Sequence, residues 1–220
     1  MRAIDIHAHV TPECFRHAVR DGGTFFGMTK ADGELSNPKN RWTIEERLAD
    51  MDGLGVGIQA VSATDCFYQY DKDVEITRSI ARACNDEIAR VAREHPDRFV
   101  GLGTVPMQDV GAAVAEMERA VLELGLKGLM IDDHVNGRTY DHPDFRPFWR
   151  AAEELGAVIL FHQGGPTVVT ARTNDYFKLY TDTVTLHSAK DAAKSRFTPD
   201  EAGWAAVCYG LVRHPEFHLY

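Results

Sequence analysis

The sequence predicts a parallel α/β fold of the TIM (β/α)8-barrel type. Apolar strand segments alternate with amphipathic helical segments, the pattern of a parallel sheet covered by helices. Polar residues fall at the C-terminal ends of successive strands: His7 and His9, Ser62, Thr104, Asp132 with Asp133, and His162. A barrel gathers those ends into one site. A doubly wound sheet places its site in one crevice, usually beside a Gly-rich phosphate loop. No G-x-G-x-x-G follows the first strand here.

The elements follow in order. "AIDIHAHV" is a first strand. Residues 11–42, rich in Gly, Asp, Asn and Lys, read as a long connection, and long connections are usually functional or mobile. "TIEERLADMDGLG" is a helix that opens on a Thr43/Glu46 capping box and stops at Gly53 or Gly55. "VGIQAVSA" is the second strand. The long helix "DVEITRSIARACNDEIARVAREHP" carries Ile76, Ile80, Cys84, Ile88 and Val91 on one stripe. "RFVGLGTVP", "LKGLMIDD" and "AVILFHQGG" are strands three to five. "DVGAAVAEMERAVLELG" and "PDFRPFWRAAEELG" are the helices between them, the second with Pro143 near its start. Each strand is nearly continuously apolar, as expected of parallel strands buried on both faces.

The composition is that of an ordinary globular chain: 220 residues, 44% hydrophobic and 26% charged, enough for one domain with a sizeable core. A net charge of -9 argues against nucleic acid and anionic membrane as partners. No apolar run approaches a membrane span, and the chain opens on strand sequence rather than a signal peptide. Cys14, Cys66, Cys84 and Cys208 form no C-x-x-C pair. Free thiols and a cytoplasmic location fit best.

In a regular strand Asp5, His7 and His9 point one way, and Ile4, Ile6 and Ala8 the other. Two imidazoles on one face can reach one cation. Alone, the pair is a weak signal, and surface histidines on an edge strand fit it better. His162 ends an apolar strand and, alone, also reads as a hydrogen-bonded core histidine. In a barrel the three meet at one rim, and three nitrogen ligands with an open position make a catalytic metal arrangement.

"DIHAHVTPECF", "RLADMDGLGVGIQAVS", "DRFVGLGTVPMQD", "ELGLKGLMIDDHVNGRTYDHPDFRPFWRAAEELGAVILFHQ" and "GLVRHPEFHLY" together resemble the amidohydrolase superfamily. They resemble most its amidohydrolase-related branch, which includes aminocarboxymuconate-semialdehyde, resorcylate and carboxyvanillate decarboxylases. The resemblance implies one divalent metal, zinc first with manganese or iron as alternatives, held by His7, His9 and His162. It implies a nonoxidative decarboxylase of a small carboxylated substrate, aromatic or muconate-type, with a metal-dependent hydrolase or hydratase as the alternative and a homodimer as the assembly. It gives Arg47 a place toward the substrate carboxylate, to which a bidentate fork is suited. An exposed helix arginine is the competing reading.

The family's acid/base histidine at strand six and aspartate at strand eight have no counterpart before Tyr220. His214 matches the turn before strand six and His218 lies inside that strand. A TIM barrel takes about 250 residues. The expectation is therefore one incomplete barrel domain with about six strands, its C-terminal third missing and long loops at 11–42 and 164–200 over the active-site face. A third possibility is an inactive fragment that at most binds metal. His187 falls on the second loop and reads as a surface residue. Asp132, Asp133 and His134 line the pocket or support the histidines, or simply begin a loop. Asp5 is a structural partner. Phe25, Phe26 and Trp42 either wall a ring substrate or pin the loop.

Overall fold

The computed structural model describes residues 3–33 and 38–162. Strand six, the 164–200 segment, Cys208, His187, His214 and His218 lie outside the described residues. Residues 137–142 group with the chain beyond residue 164, and the fold below is that of the other described residues.

Five parallel strands form one sheet in the order β1-β2-β3-β4-β5. They are β1 (Ala3–His9), β2 (Val56–Ser62), β3 (Phe99–Gly103), β4 (Gly128–Ile131) and β5 (Val158–Phe161). Between them run α1 (Glu13–Ala18), α2 (Ile44–Leu54), α3 (Val74–Glu94), α4 (Val110–Glu118) and α5 (Arg146–Leu155). Sequential order with helical crossovers is barrel topology. The sheet is curled. In a flat sheet β1 and β5 would lie about 19 Å apart, four steps of roughly 4.8 Å, yet Nε2 of His9 on β1 lies 3.1 Å from Nε2 of His162, just past β5.

Local chemistry sets the helix ends. Glu46 N–H donates to the Thr43 hydroxyl and Thr43 N–H to the Glu46 carboxylate, the capping box that opens α2. The helix ends at Gly55, whose φ of 70° suits a residue without Cβ. On α3 the buried face holds Thr77, Ala81, Cys84, Ile88 and Val91. Ile76 is 39% exposed, off the expected stripe. Repeated steps of four drift about 40° per step around a helix, whereas alternating steps of four and three stay on one face. α3 packs closely on β3: a Cβ at Gly101 would stand 2.5 Å from Leu126 and 2.9 Å from Ile88. After α4 the chain widens into a π-helical turn over Arg119–Glu123.

Two expectations change. The 11–42 connection contains α1 and three short 3-10 turns, and is folded where described. Its Phe15 and Phe25 pack with Phe67 edge to face, at ring separations of 5.7 Å and 5.2 Å from Phe15. These rings join a cluster with Val19, Met28, Ile80 and Cys84. The Glu87 carboxylate, on α3, accepts the backbone N–H groups of Glu13 and Cys14 at the start of α1. This partner from more than 70 residues away does what a local cap does elsewhere. Second, β1 and β5 are not covered on both faces by the described residues: Ile4 and Ile6 are 63% and 64% exposed and Val158 56%. These strands are the two edges of the described sheet. Among the described residues no helix is long and apolar enough to cross a membrane.

Candidate metal centre

β1 carries a bulge that reorganises the predicted face. Asp5 pairs with Gln59 and His9 with Ser62, and the register shifts between Asp5 and Ala8. Gln59 and Ser62 are three apart on β2 and so face opposite ways. The Gln59 amide donates to the Asp5 carboxylate at 2.8 Å, and its oxygen accepts from Arg47 of α2. Asp5 therefore faces the helix layer. Ser62 meets Met130 of β4 at 3.1 Å on the inner face, and His9 shares that face. A common face for Asp5, His7 and His9 is thus corrected by one extra residue in the strand. Asp5 is structural: it also accepts the His7 backbone N–H at 3.0 Å.

The three histidines converge. Nε2 of His9 lies 2.9 Å from that of His7 and 3.1 Å from that of His162. Each pair of rings is steeply inclined, with centroids 4.6 to 4.9 Å apart. Nitrogens sharing one ion at about 2.1 Å stand roughly 3 to 3.4 Å apart, so the donor set fits a divalent metal. Second contacts orient the rings. Ser62 Oγ stands 3.2 Å from Nδ1 of His9 and donates to the Met130 sulfur. It therefore accepts the Nδ1 proton, which leaves the Nε2 lone pair facing the other imidazoles. Burial, and then the neighbouring His162 and His7, lower the His9 pKa from 6.5 to about 4. His9 is neutral at pH 7, the form a metal takes.

The sign of the pH effect follows. The unfolded chain takes up a proton near pH 6.5 that folded His9 refuses until about 4. His9 therefore costs no stability above pH 6.5 and destabilises the fold progressively as pH falls from 6.5 toward 4. We expect the metal-free Tm to fall across that window, and a His9→Gln variant to show a shallower fall. Equal slopes in both proteins would refute the assignment.

His162 is held through its backbone. Its N–H donates to Ile131 O at 2.8 Å, and the Tyr68 hydroxyl donates to its carbonyl at 3.1 Å. Nothing in the sequence pattern singled out Tyr68, which lies four per cent exposed in the turn after β2. The aromatic run "FYQY" after β2 is the sole signal.

A cavity of about 460 Å3 opens onto His7, His9 and His162, with Lys39, Trp42 and Arg47 on its walls. Trp42 thus reaches the site. Phe25 is in the core and Phe26 is exposed against it. Arg47 is buried rather than an exposed helix residue, and its fork is committed: Nη1 donates to Gln59 at 2.8 Å, and Nη2 to the His9 and Lys39 carbonyls at 2.8 and 3.0 Å. Asp132, Asp133 and His134 form a separate cluster past β4, with His134 Nδ1 2.8 Å from Asp133 and 3.7 Å from Asp132. Burial raises the thiols of Cys14 to about 12 and of Cys66 to about 11, far from thiolate chemistry at pH 7.

Residues 4–219 match the amidohydrolase family model. The chain belongs to the amidohydrolase family. It is 31% identical over 173 residues to the 2-amino-3-carboxymuconate-6-semialdehyde decarboxylase of Dictyostelium discoideum, covering 72% of this chain and 48% of that one. Among solved structures it is similar to 5-carboxyvanillate decarboxylase from Sphingomonas paucimobilis, at 32% identity and TM-score 0.60, covering 73% and 51% of the two chains. It is also similar to a dihydroxybenzoic acid decarboxylase from Polaromonas with bound manganese and 2-nitroresorcinol, at 25% identity and TM-score 0.63, covering 80% and 53%. This amidohydrolase chain spans about half the length of these relatives. They carry the TIM-barrel fold to which the curled five-strand sheet corresponds.

Proposed function

We propose that this chain carries the metal-binding part of a nonoxidative decarboxylase of a small carboxylated compound, aromatic or muconate-type. The convergence of three imidazole nitrogens at the C-terminal ends of β1 and β5 is the observation that carries this reading. His7, His9 and His162 hold one divalent ion, zinc first and manganese next. When bound, the ion polarises substrate oxygens as a Lewis acid and lowers the pKa of bound water toward ~7. In the reaction the carbon bearing the carboxylate gains a proton as its bond to CO2 breaks. The names of its relatives favour decarboxylation over hydrolysis or hydration.

The residues of this chain supply shape and position. Trp42 walls one side of the cavity and Lys39 adds a cation beside it. Arg47 serves as a positioning residue: its two bonds to the His9 and Lys39 carbonyls tie the end of β1 and the short 3-10 turn at Pro38–Arg41 to α2. Its Nε–H has no partner among the described residues. The test supplies the full 220-residue chain with zinc or manganese and follows CO2 release from 2,6-dihydroxybenzoate and 5-carboxyvanillate. Metal-dependent release supports the reading. Failure to bind about one equivalent of metal, or water addition to these compounds in place of CO2 release, overturns the reading.

A further inference from the structure

A second cavity, of about 740 Å3, lies on the folded connection after β1. It shares no lining residue with the histidine cavity. Its floor is apolar: Phe15 and Val19, both buried. Its rim is cationic. Arg16, Arg20, Lys30 and Arg41 line it, against Asp21 as the one carboxylate among the described lining residues. In a chain of net charge -9 this is a local reversal of sign. Two polar atoms beside it are buried without a partner among the described residues, the Thr11 hydroxyl and Nε of Arg16. The Arg16 Nε–H is a donor only and the Thr11 hydroxyl can donate or accept, so one acceptor suits both. Arg16 Nη2 also meets Glu13 at 3.2 Å, so part of its charge is answered already.

We propose that this cavity is a second binding site, for a small organic carboxylate with an apolar body. The volume lies within the usual range for small-molecule sites, about 300 to 1,000 Å3. The cations select the negative charge. The exposed lining of the cavity is mostly apolar, which favours a ligand with a ring or chain over a bare inorganic anion. The site is independent of the metal reading, since none of its lining residues is a histidine of the centre.

The test is calorimetric titration of benzoate into the full chain after chelation with EDTA, at low ionic strength. Benzyl alcohol and inorganic phosphate serve as the uncharged and the non-apolar probes. Wild type and His162→Ala are each expected to bind about one equivalent of benzoate, with the two other probes about tenfold weaker or more. Arg20→Gln combined with Lys30→Gln removes two exposed rim charges and is expected to weaken benzoate about tenfold. Arg16→Met gives a second reading from inside the groove. Circular dichroism confirms that each variant is folded. Loss of benzoate binding in His162→Ala, with the rim variants unchanged, assigns the ligand to the histidine cavity and overturns the proposal. Equal binding of phosphate or of benzyl alcohol overturns it too, as does the absence of benzoate binding. Because the protein is metal-free throughout, failure here leaves the decarboxylase reading untouched, and failure of that reading leaves this one.

Discussion

Replacing His162 by alanine is expected to weaken zinc or manganese binding by about a hundredfold or more. Loss of an outer-shell partner alone typically costs 10- to 100-fold in metal affinity, and His162 contributes a nitrogen 3.1 Å from that of His9. The substitution is clean. The backbone bonds of residue 162, to Ile131 and from Tyr68, do not need the imidazole. His134→Ala is the control, since His134 pairs with Asp133 in the separate cluster past β4. Metal content by plasma mass spectrometry and competition with a chelating dye provide the measurement. Undiminished metal in His162→Ala, or loss in His134→Ala instead, would move the centre to the second cluster.

The largest stability effect is expected away from the site, at Glu116. Its carboxylate is two per cent exposed and accepts from Arg119 at 2.8 and 3.0 Å, from Asn85 at 2.8 Å and from Arg82 at 3.3 Å. Asn85 in turn clamps the end of β3, donating to Thr104 O at 2.9 Å and accepting Thr104 N–H at 2.8 Å. Removing one member of a buried pair costs about 3 to 5 kcal/mol, because the other is left uncompensated. Arg119 keeps Asp86 at 2.6 Å, which places Glu116→Ala near the low end, about 3 kcal/mol. For a chain of this size that is a fall in Tm of about 6 to 12 °C. The double variant Glu116→Ala/Arg119→Met should recover part of the loss, since it removes the stranded charge as well. Additive losses in the double variant would show that packing, not charge pairing, sets the cost.

These two sites differ in how far the amino-acid sequence alone reveals them. His7, His9 and His162 were legible because each ends a strand, and barrel topology brings strand ends together whatever the loops do. Arg47 was legible as a residue but not in its contacts. An arginine on a helix reads the same whether its fork meets ligand or, as here, two backbone carbonyls and Gln59. The Glu116 network was invisible: Arg82, Asn85 and Asp86 come from α3 and Glu116 and Arg119 from α4 and the π-helical turn after it, two groups whose bonded partners lie more than 30 residues apart in sequence.

The sequence by itself determined the order of β1 to β5 and of α2 to α5, the α2 capping box and a glycine stop at its end. Those features rest on periodicity and on contacts within one turn, which a linear pattern records. Tertiary structure decided the rest. The bulge that sends Asp5 to the helix side depends on how β1 registers against β2. α1 forms inside a stretch that reads as loop because Glu87, on α3, caps it. Tyr68 secures His162 across 94 residues. Each is a contact between segments whose spacing carries no period, so only the folded arrangement brings the partners together.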